Sequence, residues 1–210
     1  MQEFRLALGL YRWRIKTTMT VDGSVRILKV EDVRLGPDGN LVREKTLRWE
    51  RKPLPTPYSY GDPRRSLPDP PSQKEEDGLW DTALSVLSFY LRVAPDRVAD
   101  WSARCRVLAR DPDRDGAVRW QARGLVRPWD DAAAYFDPAT RALRLVEVKT
   151  TASFDRLVDI TFLRIAFGTR PALRSGQPPA TVIEDIFLNM SRGSRRVVVQ
   201  IEATDYRGFS

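Results

Sequence analysis

The stretch "YRWRIKTTMTV" sets Tyr11, Trp13, Ile15, Thr17 and Met19 in alternation with Arg12, Arg14, Lys16 and Thr18. Successive side chains of a strand point to opposite faces, so this period of two predicts a strand with one buried and one wet face. Asp22-Gly23 supplies a hairpin turn into "SVRILKVEDVRL", since both residues tolerate the positive φ that tight hairpins need. A second turn, "GPDGN", leads into "LVREKTLRWERK", where Leu41, Leu47 and Trp49 stand against Glu44, Arg48 and Glu50. The first third therefore reads as a three-stranded meander.

From Pro53 to Gly78 the chain turns to proline, serine and charge. So many prolines forbid regular helix or central strand, and an exposed, partly disordered excursion is expected over 53–78. Beyond it, "LWDTALSVLSFYLRV" places Leu79, Ala83, Val86, Leu87 and Tyr90 at helical spacing. Pro95-Asp96 restarts a helix through "DRVADWSARCRVLARD", with Val98, Trp101, Cys105 and Leu108 along one stripe. Cys105 reads as a small core residue. Six further strands follow, in "AVRWQARGLVRP", "AAAYFD", "LRLVEVKTT", "LVDITFLRIAF", "ATVIEDIFLNM" and "RRVVVQIEATDY", each rich in β-branched and aromatic residues between turn formers. Strands, two helices and more strands make an α+β layout with a largely antiparallel sheet.

Length and composition narrow this picture. The chain of 210 residues suits a single domain over 1–210 with one sizeable core. It is 42% hydrophobic and 30% charged, and no apolar run is long enough for a transmembrane segment. One cysteine and no histidine exclude an internal disulfide, a thiolate metal cluster and histidine-dependent hydrolase triads. No cofactor is expected. The net charge of +7 and pI near 9.8 permit contact with nucleic acid, but the arginines are interleaved with acids, as in "DPDRDGAVRWQARG". That pattern reads as a solvated surface, and no nucleic-acid partner is expected. "MQEFRLALGLYRW" lacks the basic and apolar regions of a signal peptide. The expectation is a cytoplasmic protein if Met1 is the native start, or an envelope protein if a signal was removed.

Three stretches in order carry a resemblance: "LGLYRWRIKTTMTVDGSVRILKVEDVRLGPDGNLVREKTL", then "DDAAAYFDPATRALRLVEVKTT" with "VDITFLRI", then "RRVVVQIEATDYRGF". Together they resemble bacterial envelope proteins related to the outer-membrane lipoprotein carriers, the LolA-like superfamily. The resemblance implies a curved, incomplete antiparallel β-barrel, or half-barrel, closed over the two mid-chain helices. It implies a periplasmic or envelope location, no catalytic residues, and an apolar ligand such as a lipid or acyl chain, or an envelope partner, on the concave face. Trp13, Ile15, Trp49, Leu143, Leu145, Phe162 and Val199 are the candidate lining. The plainer alternative is that they pack as core against Leu84, Leu87, Trp101 and Leu108.

Two rival readings remain. In "YFDPATRALRLVEVKTT" the order Asp137, Glu147, Lys149 matches the metal-and-lysine pattern of PD-(D/E)xK nucleases, in which two carboxylates hold Mg²⁺ and the lysine supports the attacking hydroxide. Against it, proline follows Asp137 instead of preceding it, and strands continue where that class has a helix. On the surface reading, Glu147 and Lys149 pair with cross-strand neighbours while Asp137 bonds the turn "DPAT". The third reading is a protein-interaction module presenting "PLPTP" as a polyproline II stretch.

Overall fold

A computed structural model describes residues 11–36, 41–52, 71–150, 153, 157–171 and 179–208. The first meander is β1 (Tyr11–Val21), β2 (Ser24–Leu35) and β3 (Leu41–Arg51), followed by α1 (Gln73–Leu91) and α2 (Pro95–Ala103). Seven more strands follow among the described residues: β4 (Arg106–Asp111), β5 (Ala117–Arg123), β6 (Asp130–Phe136), β7 (Leu143–Thr150), β8 (Val158–Arg170), β9 (Ala180–Arg192) and β10 (Arg195–Gly208). All ten belong to one sheet in the order β3-β2-β1-β10-β9-β8-β7-β6-β5-β4, and every described pairing is antiparallel. The last strand returns to pair with the first, which leaves β3 and β4 as the edges of an open sheet. Asp22 (φ 49°) and Gly23 (φ 84°) form the β1–β2 turn in the left-handed conformation that the Asp-Gly pair favours.

Both helices pack on one face of this sheet. Leu79, Ala83, Val86, Leu87 and Tyr90 of α1 and Trp101 of α2 join Met19, Val148, Leu163, Leu188, Met190 and Val199 in the main core. Burying each large side chain contributes about 1.5–3 kcal/mol relative to leaving it wet. Polar ties hold the helices in place. The Trp101 indole donates to the Ala122 carbonyl at 3.1 Å, and the Tyr90 hydroxyl donates to Asp130 at 3.0 Å. Burial pushes the Asp130 carboxyl above its ordinary value, and burial followed by the Asp130 charge pushes the Tyr90 hydroxyl up as well.

The helix boundaries differ from the sequence expectation at both ends. Helix α1 begins at Gln73, so the expected excursion over 53–78 gives up its last six residues; 53–70 lie outside the described residues. The Ser72 hydroxyl accepts from the Glu75 N–H at 3.3 Å and caps the first turn. Helix α2 ends at Ala103, and Arg106–Asp111 forms the edge strand β4 along β5. Leu108, expected on the buried helix stripe, is therefore 45% exposed. Cys105 is half-buried beside the main core, with its thiol donating to the Trp101 carbonyl at 3.4 Å.

Candidate functional site

The seven candidate lining residues separate into four groups. Val199 is fully buried in the main core, opposite Met19 and Leu188, and Leu143 packs partly buried against the same core. Trp13 belongs to a second buried cluster with Tyr11, Val33, Ala180 and Ala203, against which Ile15 and Tyr206 pack. There the Trp13 ring stacks on Tyr206 at 5.6 Å, with Tyr11 edge-on to Tyr206 at 6.2 Å. The Tyr11 hydroxyl donates to the Pro171 carbonyl at 2.7 Å, tying the start of β1 to the end of β8. Trp49 stands at the β3 edge, 52% exposed, its ring centroid 4.5 Å from the Lys29 ammonium. Lys29 in turn lies 2.8 Å from Glu31, a buried ion pair on the strand face shared with Thr17.

Leu145 and Phe162 lie on the face away from the helices. A register shift between Tyr135 and Phe136 in the β6–β7 pairing leaves Leu143 facing the main core while Leu145 packs with Ala117, Ala133 and Tyr135. Another shift, between Ile160 and Phe162, turns Phe162 to the side of Phe187, 6.3 Å between ring centroids. Each bulge adds one residue and reverses the inward and outward alternation beyond it.

That outer face carries a hollow of about 400 Å³. Its floor is Ala133, which pairs with Gln121 of β5 on one side and Glu147 of β7 on the other. Asp131 and Lys149, cross-strand partners, stand at one end, and Arg119 and Tyr135, also partners, at the other. Asp111, Asp113 and Arg114 overhang it from the end of β4 and the 3-10 turn Pro112–Arg114. Arg114 pairs with Glu147, whose second oxygen accepts from the Tyr135 hydroxyl at 3.1 Å. The Tyr135 ring has the Arg114 and Arg119 guanidiniums at 5.6 and 5.9 Å. Burial, then the Glu147 charge, pushes the Tyr135 hydroxyl above its ordinary value. Arg119 donates to Gln121 at 2.5 Å, and Gln121 donates to Asp131 at 2.9 Å.

Of the nuclease pattern, Glu147 and Lys149 line this hollow and Asp137 does not. Asp137 accepts from the backbone N–H groups of Ala139 (2.9 Å) and Thr140 (2.8 Å) and pairs with Arg144 at 2.6 Å. The Thr140 N–H, more than any other group, holds its carboxyl below the ordinary range. Among the described residues no group of three or more acidic or cysteine side chains is placed to hold a metal ion. Sequence reasoning missed Asp131, Arg119, Gln121 and Tyr135. Their signal was present as polar alternation in "VRWQAR" beside the small residues of "DAAAYF".

No protein-family model, curated protein or solved structure matches the chain.

Proposed function

We propose that the protein is a non-enzymatic envelope protein of the lipoprotein-carrier kind, whose sheet curves into an incomplete barrel and takes up an apolar ligand on its helix-bearing face. The observation that carries this reading is the second cluster around Trp13. Among the described residues no helical side chain belongs to it, and it forms a separate apolar cluster on the helix-bearing face, around the start of β1 and the end of β10, beyond the buried Lys29–Glu31 pair. An open antiparallel sheet with both helices on one side suits the reading, because such a face must be filled by helices, by ligand or by both. Trp13 and Ile15, with Trp49 at the neighbouring edge, would meet an acyl chain. Leu143 and Val199 serve the core in this arrangement, and Leu145 and Phe162 have no part in the ligand surface.

The test is direct. Protein purified from cells is denatured and its organic extract read by mass spectrometry, and the purified protein is titrated with the fluorescent apolar probe N-phenyl-1-naphthylamine. Co-purifying lipid, or probe binding weakened by Ile15→Asp and Trp49→Ala, supports the proposal. Absence of both overturns it.

A further inference from the structure

The hollow above Ala133 is built from side chains on the face away from the helices, so it stands independently of the ligand reading above. Its volume of about 400 Å³ falls within the range of small-molecule sites, roughly 300–1,000 Å³. It exists because Ala133 offers only a methyl group between the longer Gln121 and Glu147. Four carboxylates and three cations line it, and most of these charges already neutralise one another. Arg114 is held by Glu147, and Arg119 reaches Asp111 at 3.5 Å.

Three charges are left over, the carboxylates of Asp113 and Asp131 and the Lys149 ammonium; Asp113 stands exposed on the 3-10 turn, which leaves Asp131 and Lys149 as the pair of opposite sign on the sheet itself. Lys149 has no ion-pair partner among the described residues, although Asp131 is its direct cross-strand neighbour. Opposite charges in that position ordinarily pair. Here the Asp131 carboxylate is turned to the Gln121 amide, which Arg119 positions from its other side. The hollow thus presents an ammonium donor and a carboxylate acceptor that do not satisfy each other. A simple anion would leave the surplus carboxylates uncompensated, and a simple cation would leave Lys149 so. A molecule carrying both charges satisfies both.

We infer that the hollow above Ala133 binds a small zwitterion of the free amino acid class, its carboxylate received by Lys149 and its ammonium group by Asp131. Selectivity then rests on both charges together. Removing either one leaves a protein charge without its partner, which lowers affinity by about tenfold or more.

The experiment titrates the full chain calorimetrically with each free L-amino acid in turn, and then with the N-acetyl and the amide derivative of the tightest binder. The expected result is binding by at least one free amino acid, with both derivatives weaker by about tenfold or more. Lys149→Met should weaken the free amino acid by a similar factor. Ala133→Leu should fill the hollow and abolish binding, while the circular dichroism spectrum and melting temperature stay near those of the wild type. The inference is overturned if no free amino acid binds, or if the N-acetyl form binds as tightly as the free one, which marks an anion site. A folded Ala133→Leu variant that binds like the wild type also overturns it. Should Ala133→Leu fail to fold, Lys149→Met decides alone, and unchanged affinity in that variant sinks the inference.

Discussion

Arg26 of β2 and Glu76 of α1 form an ion pair at 2.5 Å with both side chains almost wholly buried. It joins the first meander to the helix at a point where Arg26 stands in a bulge of β2, opposite the register shift between Met19 and Thr20. The bulge brings Arg26 as well as Ile27 into the buried set. Glu76 lies in the first turn of α1, where a carboxylate also meets the positive end of the helix dipole. Arg51 approaches its other oxygen at 3.9 Å, and the adjacent Asp77 takes Arg51 at 2.5 Å.

Removing one partner of this pair strands a buried charge. Glu76→Ala or Arg26→Ala should each cost about 3–5 kcal/mol of stability. The double replacement Arg26→Met with Glu76→Leu removes both charges and should recover most of that loss. Urea denaturation of the three variants checks this. A double variant no better than the sum of the singles would show that the pair was not the source of the cost.

A second prediction concerns Tyr90 and Asp130. Burial raises the Asp130 carboxyl, while the backbone N–H groups of Arg127 and Val126 and the Tyr90 hydroxyl pull it down. A carboxyl whose folded pKa lies above its unfolded value of about 3.9 binds more protons folded than unfolded, so its contribution to stability falls as pH rises through that window. Tyr90→Phe deletes one of the groups that favour the charged form. Asp130 should then rise further, and the variant should lose about 1.5–3 kcal/mol near neutrality but less below the ordinary carboxylate range. Urea midpoints at both pH values give the answer, and equal losses at the two would refute the coupling.

The first three strands were legible from their alternation and the six after β4 from β-branched and aromatic runs between turn formers, and the Asp-Gly turn fixes the first hairpin without help from elsewhere. Helix α2 was overextended for a physical reason. Cys105 and Leu108 continue the helical spacing of Val98 and Trp101, yet "RVLARD" lies on an edge strand where neither face must be buried, so no alternation marks it. The start of α1 was readable in "SQKE", a serine followed three residues later by glutamate. The bulges were not readable. One extra residue at Arg144 or Thr161 decides which way Leu145 and Phe162 point, and only pairing with the next strand fixes that. The outer hollow is likewise a product of register, since nothing local places Gln121 and Glu147 on either side of Ala133.

Cys105 should behave as a slow thiol. Burial raises it above its ordinary value, opposed by the neighbouring Arg104 charge, and the reactive species is the thiolate. Iodoacetamide labelling at neutral pH, followed by mass spectrometry, should be slower for the folded protein than for the urea-unfolded chain. Equal rates would mean that the α2–β4 junction opens freely.

Glu147 and Lys149, two residues apart on β7, should respond oppositely to truncation. Lys149 is exposed and makes no ion pair among the described residues, so Lys149→Ala should leave stability within about 0.5 kcal/mol of the wild type. Glu147 is buried under Arg114 and accepts from Tyr135. Glu147→Ala leaves both donors without their acceptor and should cost about 1–3 kcal/mol. The same two variants separate a binding surface from a Mg²⁺-dependent nuclease centre. The non-enzymatic reading expects no nicking of supercoiled DNA by wild-type protein in Mg²⁺. If the wild type nicks, and folded Lys149→Ala does not, the chemistry resides on this strand, because losing a catalytic cation costs orders of magnitude in rate while losing a surface charge costs none.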